Sequence, residues 1–352
     1  MHDSPADDTS ADARLAALSS WLSGVLPSPA VAIAPASEDA SFRRYFRVTL
    51  GRGSAVPGRG EPASTLIAMD APPSREDCRP FVSVAALLRD AGVHAPAVLA
   101  ADFEQGFLLL TDLGTRTYLQ ALTPANASAL YEDASATLVR WQAASREGLL
   151  PAYDRTLLKR ELDLFPDWYV AKHLGVDLSA AHKATLEAAF AKILENNLAQ
   201  PAVFVHRDYH SRNLMLTEPN PGVLDFQDAV FGPITYDLVS LLRDAYVEWD
   251  EERQIDWAAR YWQSARAARL PVREDFGDFW RDFEWMGVQR QLKVLGIFAR
   301  LYHRDGKAGY LKDLPRVMGY LRAACARYRD LVPLLRLVDA LEDRRPVAGY
   351  TF

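Results

Sequence analysis

The sequence predicts an α+β protein of two lobes, a small β-rich N-terminal lobe and a larger, mainly helical C-terminal lobe. Three observations predict it. Up to residue 111, five apolar runs of strand length are separated by turn residues and only two helical patterns. Beyond residue 117 the apolar spacing is mostly helical. Between residues 202 and 228 that helical pattern gives way to AVFVHRDYHSRNLMLTEPNPGVLDFQD, in which short apolar runs flank polar loops.

Taken in order, residues 1–11 are acidic and small and are expected to form a disordered tail. The N-terminal lobe is therefore drawn over residues 12–111. Leu15, Leu18, Trp21 and Leu22 have helical spacing. Residues 31–35 and 42–49 read as strands joined by the polar turn 36–41, and the Gly/Pro-rich stretch 51–64 as a loop. Strand alternation puts Arg43, Tyr45 and Arg47 on one face and Phe42, Arg44 and Phe46 on the other. Arg44 thus shares a face with two phenylalanines, which points to a constrained guanidinium. Residues 65–69 form the next strand, and a helix is expected from Ser74, with Asp77 in a capping-box-like place. Residues 98–101 and 107–111 close a hairpin through Glu104, Gln105 and Gly106. Residues 112–116 are drawn as a hinge and 117–352 as the C-terminal lobe. There, helices are expected from Thr123-Pro124 and from near Asp154, the second interrupted at Pro166. Residues 257–341 are again helical.

Composition excludes several classes. Hydrophobic content of 49% and charged content of 24% are those of a soluble globular chain. A net charge of −6 argues against nucleic acid as the main partner. Cys78 and Cys325 are too few for a disulfide framework, which fits a reducing, cytoplasmic compartment. The start, MHDSPADDTSADARL, does not read as a signal peptide, and no apolar run is long enough to span a membrane. A monomer is expected.

The chemistry sits in the central stretch. His206, Asp208 and Asn213 give H-x-D-x-x-x-x-N, and Asp225 heads Asp-Phe-Gln-Asp. Phosphoryl transfer needs a carboxylate to orient and deprotonate the acceptor hydroxyl, and oxygen ligands to hold magnesium on the phosphates. In the protein-kinase pattern, Asp208 takes the first role and Asn213 with Asp225 the second. A polar hairpin whose Asp and Asn only cap turns is the bland alternative. Apolar strands on both sides, and a third run ending in Asp-Phe, weigh against it.

FRRYFRV, MDAPP, LFPDWY, HRDYHSRNLM and DFQDAVFGPITYDLVSLLRD resemble the aminoglycoside phosphotransferase/choline kinase family, which has the two-lobed protein-kinase fold. Closer still, they resemble the bacterial N-acetylmuramate/N-acetylglucosamine anomeric kinases, which make sugar-1-phosphates in cell-wall recycling. The resemblance runs from about residue 12 to the C-terminus and is strongest over residues 203–244. It implies ATP and Mg²⁺ as cofactors, with the nucleotide beneath the hairpin and an N-acetylated amino sugar as acceptor. Ser41 at the hairpin turn and the backbone of Thr111, Asp112 and Leu113 at the hinge are then expected to meet the nucleotide. Strand 65–69 departs from the pattern: it offers Met69 and Asp70 where a kinase places a phosphate-gripping lysine. Arg44 is the expected substitute, since a guanidinium can bind phosphate bidentately. Glu161 and Trp168 are the expected acceptor contacts, with Arg290 and Lys293 facing an anionic group such as a lactyl carboxylate. His206, Asp237 and Asp228 are expected to orient and support the loop. An aminoglycoside or choline-type kinase is the rival within enzymes. A nucleotide-binding pseudokinase, suggested by the missing lysine, is the rival from another class.

Overall fold

The computed structural model describes residues 5–27, 29–37, 42–51 and 64–342. Its backbone divides into two units, Met1–Arg116 with Met215–Asp228, and Thr117–Leu214 with Ala229–Phe352. Residues 215–228 cluster with the N-terminal unit. His94 explains why. Its carbonyl accepts the Val223 N–H at 2.8 Å, and its ring nitrogen lies 2.7 Å from the Pro219 carbonyl.

The N-terminal unit is one antiparallel sheet in the order β1-β2-β3-β5-β4. Helix α1 (Pro5–Val25) precedes β1 (Ala32–Ser37), β2 (Arg44–Thr49) and β3 (Thr65–Asp70); α2 (Arg79–Asp90) then leads to β4 (Val98–Asp102) and β5 (Phe107–Thr111). Two boundaries differ from the sequence expectation. Helix α1 begins at Pro5, inside the stretch expected to be a tail. Helix α2 begins at Arg79 with a proline in its first turn, and Asp77 accepts the Arg79 N–H rather than completing a box with Ser74. Ser41 and the loop 52–63 lie outside the described residues.

Period-two alternation gives the sheet two faces. Phe46, Val48, Leu66, Ala68, Phe107 and Leu109 pack against Leu18, Leu22 and Leu26 of α1. Each fully buried leucine contributes about 1.5–3 kcal/mol, enough to dock α1 on this face. The register pairs Arg44 with Asp70, Tyr45 with Met69 and Arg47 with Ile67. Tyr45 and Met69 therefore share the face turned away from α1.

In the C-terminal unit, α3 (Tyr118–Ala121), α4 (Ala127–Ala143), α5 (Arg155–Leu164) and α6 (Ala180–Leu198) lead to β6 (Ala202–Val205). Short strands β7 (Leu214–Met215) and β8 (Gly222–Val223) bracket the proline-rich turn, and β9 (Val230–Pro233) returns to pair antiparallel with β6. Five helices finish the chain: α7 (Tyr236–Leu242), α8 (Glu251–Ala267), α9 (Phe276–Asp305), α10 (Leu314–Arg327) and α11 (Val332–Leu341). The 30-residue α9 is the axis of this unit, packed by α5, α6, α7 and α10. Helix α4 starts at Ala127, later than Thr123-Pro124 implied; Thr123 instead donates its N–H to the Asn126 side chain at 2.7 Å.

Pro166 does not end the helical run. It lacks the N–H for an ordinary helical bond, and the chain widens into a π-helical stretch, Phe165–Leu174, closed by Gly175 at φ +68°. The stretch packs on α9, where Gly296 allows the approach: a Cβ there would lie 2.4 Å from the Leu164 carbonyl oxygen.

Candidate active site

Strand β6 delivers the chain into a loop, residues 206–213, whose second residue is strained. Arg207 has φ +77°, a conformation that costs a non-glycine residue about 1–3 kcal/mol. Two buried carboxylates hold the loop there. Asp237, in the first turn of α7, accepts the N–H groups of His206 at 2.6 Å and Arg207 at 2.9 Å. Asp244 accepts the N–H groups of Ser211 at 2.9 Å and Tyr246 at 2.8 Å. The His206 ring is buried, and its Nδ1 accepts the Asp208 N–H at 3.2 Å, which places the ring proton on Nε2 when the imidazole is neutral. The Asn213 amide group donates to the Asp208 carbonyl at 3.0 Å, tying the two ends of the motif together.

Burial works to raise the Asp208 pKa, but the positive fields of Lys293, His210, Arg207 and Arg290 overcome it and hold the carboxyl at about 2. Asp208 is therefore ionised at neutral pH. A carboxylate so acidic is a weak base in the ground state. A carboxylate of that kind can orient a hydroxyl and take its proton late, which a loose phosphoryl-transfer transition state permits. Burial pushes the Asp237 carboxyl up to about 7, against the two N–H groups that it accepts. Burial lowers the His210 pKa, against the carboxylates of Asp244 and Asp208.

Glu161 is engaged by the protein's own side chains. It is buried, accepts hydrogen bonds from the Tyr153 hydroxyl and the Arg207 guanidinium, and faces Lys293 Nζ at 3.3 Å. Lys293 is equally engaged, donating to the Tyr236 hydroxyl at 2.9 Å. The expected acceptor contact and its expected cationic neighbour are thus one buried ionic group beneath the loop. The grouping has a physical reason: an ionised carboxylate with an exposure of 4% needs hydrogen-bonding cations to offset its desolvation. Arg290 differs from Lys293. It is buried too, yet its Nη1 has no hydrogen-bond partner among the described residues. Trp168 is half-buried in the π-helical stretch.

In the N-terminal unit, the three arginines around β2 each meet a different carboxylate. Arg43 pairs with Glu76 at 3.1 Å. Arg44 is held on the α1 side by Asp70, a fully buried carboxylate that Arg14 of α1 shares. Arg47 binds Asp112 at 2.6 Å and the Gly114 carbonyl at 2.8 Å. Arg44 is therefore part of the α1–sheet junction. Asp112 also accepts the Gly114 N–H at 2.8 Å, and the Thr111 hydroxyl accepts the Ala97 N–H at 2.9 Å. The Thr111 and Asp112 side chains thus fix the backbone around them. Leu113 lies against Gly222, where a side chain would collide with it.

Asp225 has φ +60°, and its Oδ1 accepts the Gln227 side-chain amide at 2.8 Å. The next residue, Phe226, stacks on Phe81 of α2 with ring centres 4.7 Å apart. Asp228 is exposed. Among the described residues no three His, Cys, Asp or Glu side chains gather as a metal site. A carboxylate and a carboxamide, both hard oxygen donors, fit the magnesium manner of binding, in which phosphates and water fill the remaining positions. Asn213, in the C-terminal unit, and Asp225, in the N-terminal unit, each carry a donor of that kind.

Sequence reasoning missed Asp244, Tyr153, Glu76 and the pairing role of Arg207. Their partners are distant in the chain, and no local spacing marks them.

Residues 32–276 match the model of the phosphotransferase enzyme family. The chain belongs to that family. This phosphotransferase is 51% identical over 340 residues to the N-acetylmuramate/N-acetylglucosamine kinase of Pseudomonas aeruginosa, covering 94% of this chain and 97% of that one. It is 48% identical to the enzyme of the same name from Neisseria meningitidis, over 95% and 98% of the two chains. Solved structures establish the protein-kinase-like fold. Choline kinase LicA from Streptococcus pneumoniae superposes with a TM-score of 0.60 at 12% identity, covering 89% of this chain and 99% of that one. ADP-bound aminoglycoside phosphotransferase APH(2'')-Ib gives 0.57 at 14% identity, over 87% and 97%.

Proposed function

We propose that this phosphotransferase moves the γ-phosphoryl group of ATP to the anomeric hydroxyl of N-acetylmuramate or N-acetylglucosamine, giving the sugar-1-phosphate used in cell-wall recycling. The observation that carries the reading is near-complete coverage, at about half identity, of two relatives named as kinases of those sugars.

Asp208 accepts the acceptor proton, and the loop bonds from Asp237, Asp244 and His206 keep its carboxylate in place. Asn213 and Asp225 are the residues to hold Mg²⁺, which neutralises charge on the phosphates when bound. The backbone at Thr111, Asp112 and Leu113 meets the adenine. Cationic surroundings of Asp208 favour a neutral or acidic sugar over a polycationic aminoglycoside or a quaternary amine. Arg290, with a buried N–H that lacks a partner among the described residues, is the candidate for the lactyl carboxylate. The protein is read as a cytoplasmic monomer that binds a small-molecule substrate; its two free thiols fit a reducing compartment, and its net charge of −6 argues against nucleic acid as a partner. Among the described residues no helix is long and apolar enough to cross a membrane.

The test is a panel of N-acetylmuramate, N-acetylglucosamine, kanamycin and choline with ATP and Mg²⁺, read by product mass. Sugar-1-phosphate supports the reading. Phosphorylated kanamycin or choline alone replaces it with the rival kinase, and nucleotide binding without transfer replaces it with a pseudokinase.

A further inference from the structure

Strand β3 carries no lysine, so the nucleotide phosphates need another cation, and only one of the three arginines around β2 is suitably placed. Arg44 points to the α1 side and is spent on Asp70. Arg47 is spent on Asp112 at the hinge. Arg43 lies two residues from Tyr45, which is the cross-strand partner of Met69, one of the two residues, with Asp70, that β3 offers in place of the lysine. Arg43 immediately precedes β2, so its place is set by its pair with Glu76 and by the carboxylates around it rather than by the strand ladder.

The surroundings of Arg43 match that duty. Its side chain is 11% exposed and is paired with Glu76, just before α2. The same guanidinium stands in the fields of Asp225 and Asp228, which, with Glu76 and Tyr45, hold its pKa above the ordinary value against the effect of burial. A cation beside the proposed metal carboxylate lies where the triphosphate must arrive. The Glu76 pair keeps the guanidinium fork oriented, as a helix glutamate does for the strand lysine of a kinase.

We infer that Arg43, oriented by Glu76, grips the nucleotide phosphates in place of the absent strand lysine. The inference rests on the kinase reading above. The test measures binding of adenosine, ADP and a non-hydrolysable ATP analogue by calorimetry, with Mg²⁺, to the wild-type protein and to Arg43→Ala, Arg43→Lys and Arg44→Ala. Loss of a charge-assisted phosphate contact should weaken ADP and the ATP analogue about 10- to 100-fold in Arg43→Ala. Adenosine, which has no phosphate, should bind as before, and Arg43→Lys should recover much of the loss. If Arg43→Ala does not fold, the same comparison is made with Arg43→Gln.

Equal weakening of all three ligands would make Arg43 merely structural and overturn the inference. So would unchanged binding in Arg43→Ala, or a phosphate-specific loss in Arg44→Ala instead. A wild-type protein that binds no adenine nucleotide would remove the kinase reading and this inference together. A wild-type protein that binds normally alongside an unaffected Arg43→Ala removes the inference alone.

Discussion

Asp237 accepts the backbone N–H of Arg207 at 2.9 Å, and Arg207 is the strained residue, at φ +77°. The carboxylate thus holds a turn that the backbone would not adopt by preference, one residue before Asp208. Asp237→Asn keeps one acceptor oxygen but presents an NH₂ group to the second N–H. It should cost about 1–3 kcal/mol of stability and lower kcat more than it changes the KM for ATP. Denaturant unfolding and steady-state kinetics check both.

Asp208→Asn should retain nucleotide binding while kcat falls about 10²–10⁴-fold, the range for a general base. Product formation at the wild-type rate would remove Asp208 from the mechanism.

The pH profile follows from the cations around Asp208. Its carboxyl titrates at about 2, below the unfolded value of about 3.9. Its contribution to stability is therefore complete above the unfolded value and lost as pH falls through about 2. Asp208 should also impose no acid limb on kcat/KM between pH 5 and 8. Lys293→Met removes the leading cation, so burial raises the carboxyl and the acid limb moves to higher pH. A profile measured from pH 4 to 9 on both proteins decides it.

Breaking the buried group formed by Glu161, Arg207 and Lys293 leaves charge unpaired. Glu161→Gln should destabilise the protein by about 3–5 kcal/mol, and Glu161→Gln/Lys293→Met by less than the sum of the single changes. If Glu161→Gln raised the KM for the sugar without lowering stability, Glu161 would touch the substrate after all.

Gly296→Ala places a methyl group 2.4 Å from the Leu164 carbonyl oxygen. Overpacking of that kind should cost about 1–3 kcal/mol, read as a lower melting temperature. Because the contact involves the helix that carries Arg290 and Lys293, the KM for the sugar should rise as well.

The sequence alone determined the strands of the N-terminal sheet, the helical character of the C-terminal lobe and the candidate chemistry of Asp208, Asn213 and Asp225. Those features are local: strand alternation, helical spacing and a motif read within a few residues. Only the tertiary structure decided which carboxylate each arginine meets. Arg44, Arg43 and Arg47 find theirs 26, 33 and 65 residues away, in a segment where all three arginines look alike. It also showed Glu161 at the centre of a buried ionic group, because whether a carboxylate meets a guanidinium depends on segments distant in the chain. Spacing along a chain sets which face a side chain takes; packing between distant segments sets what it finds there.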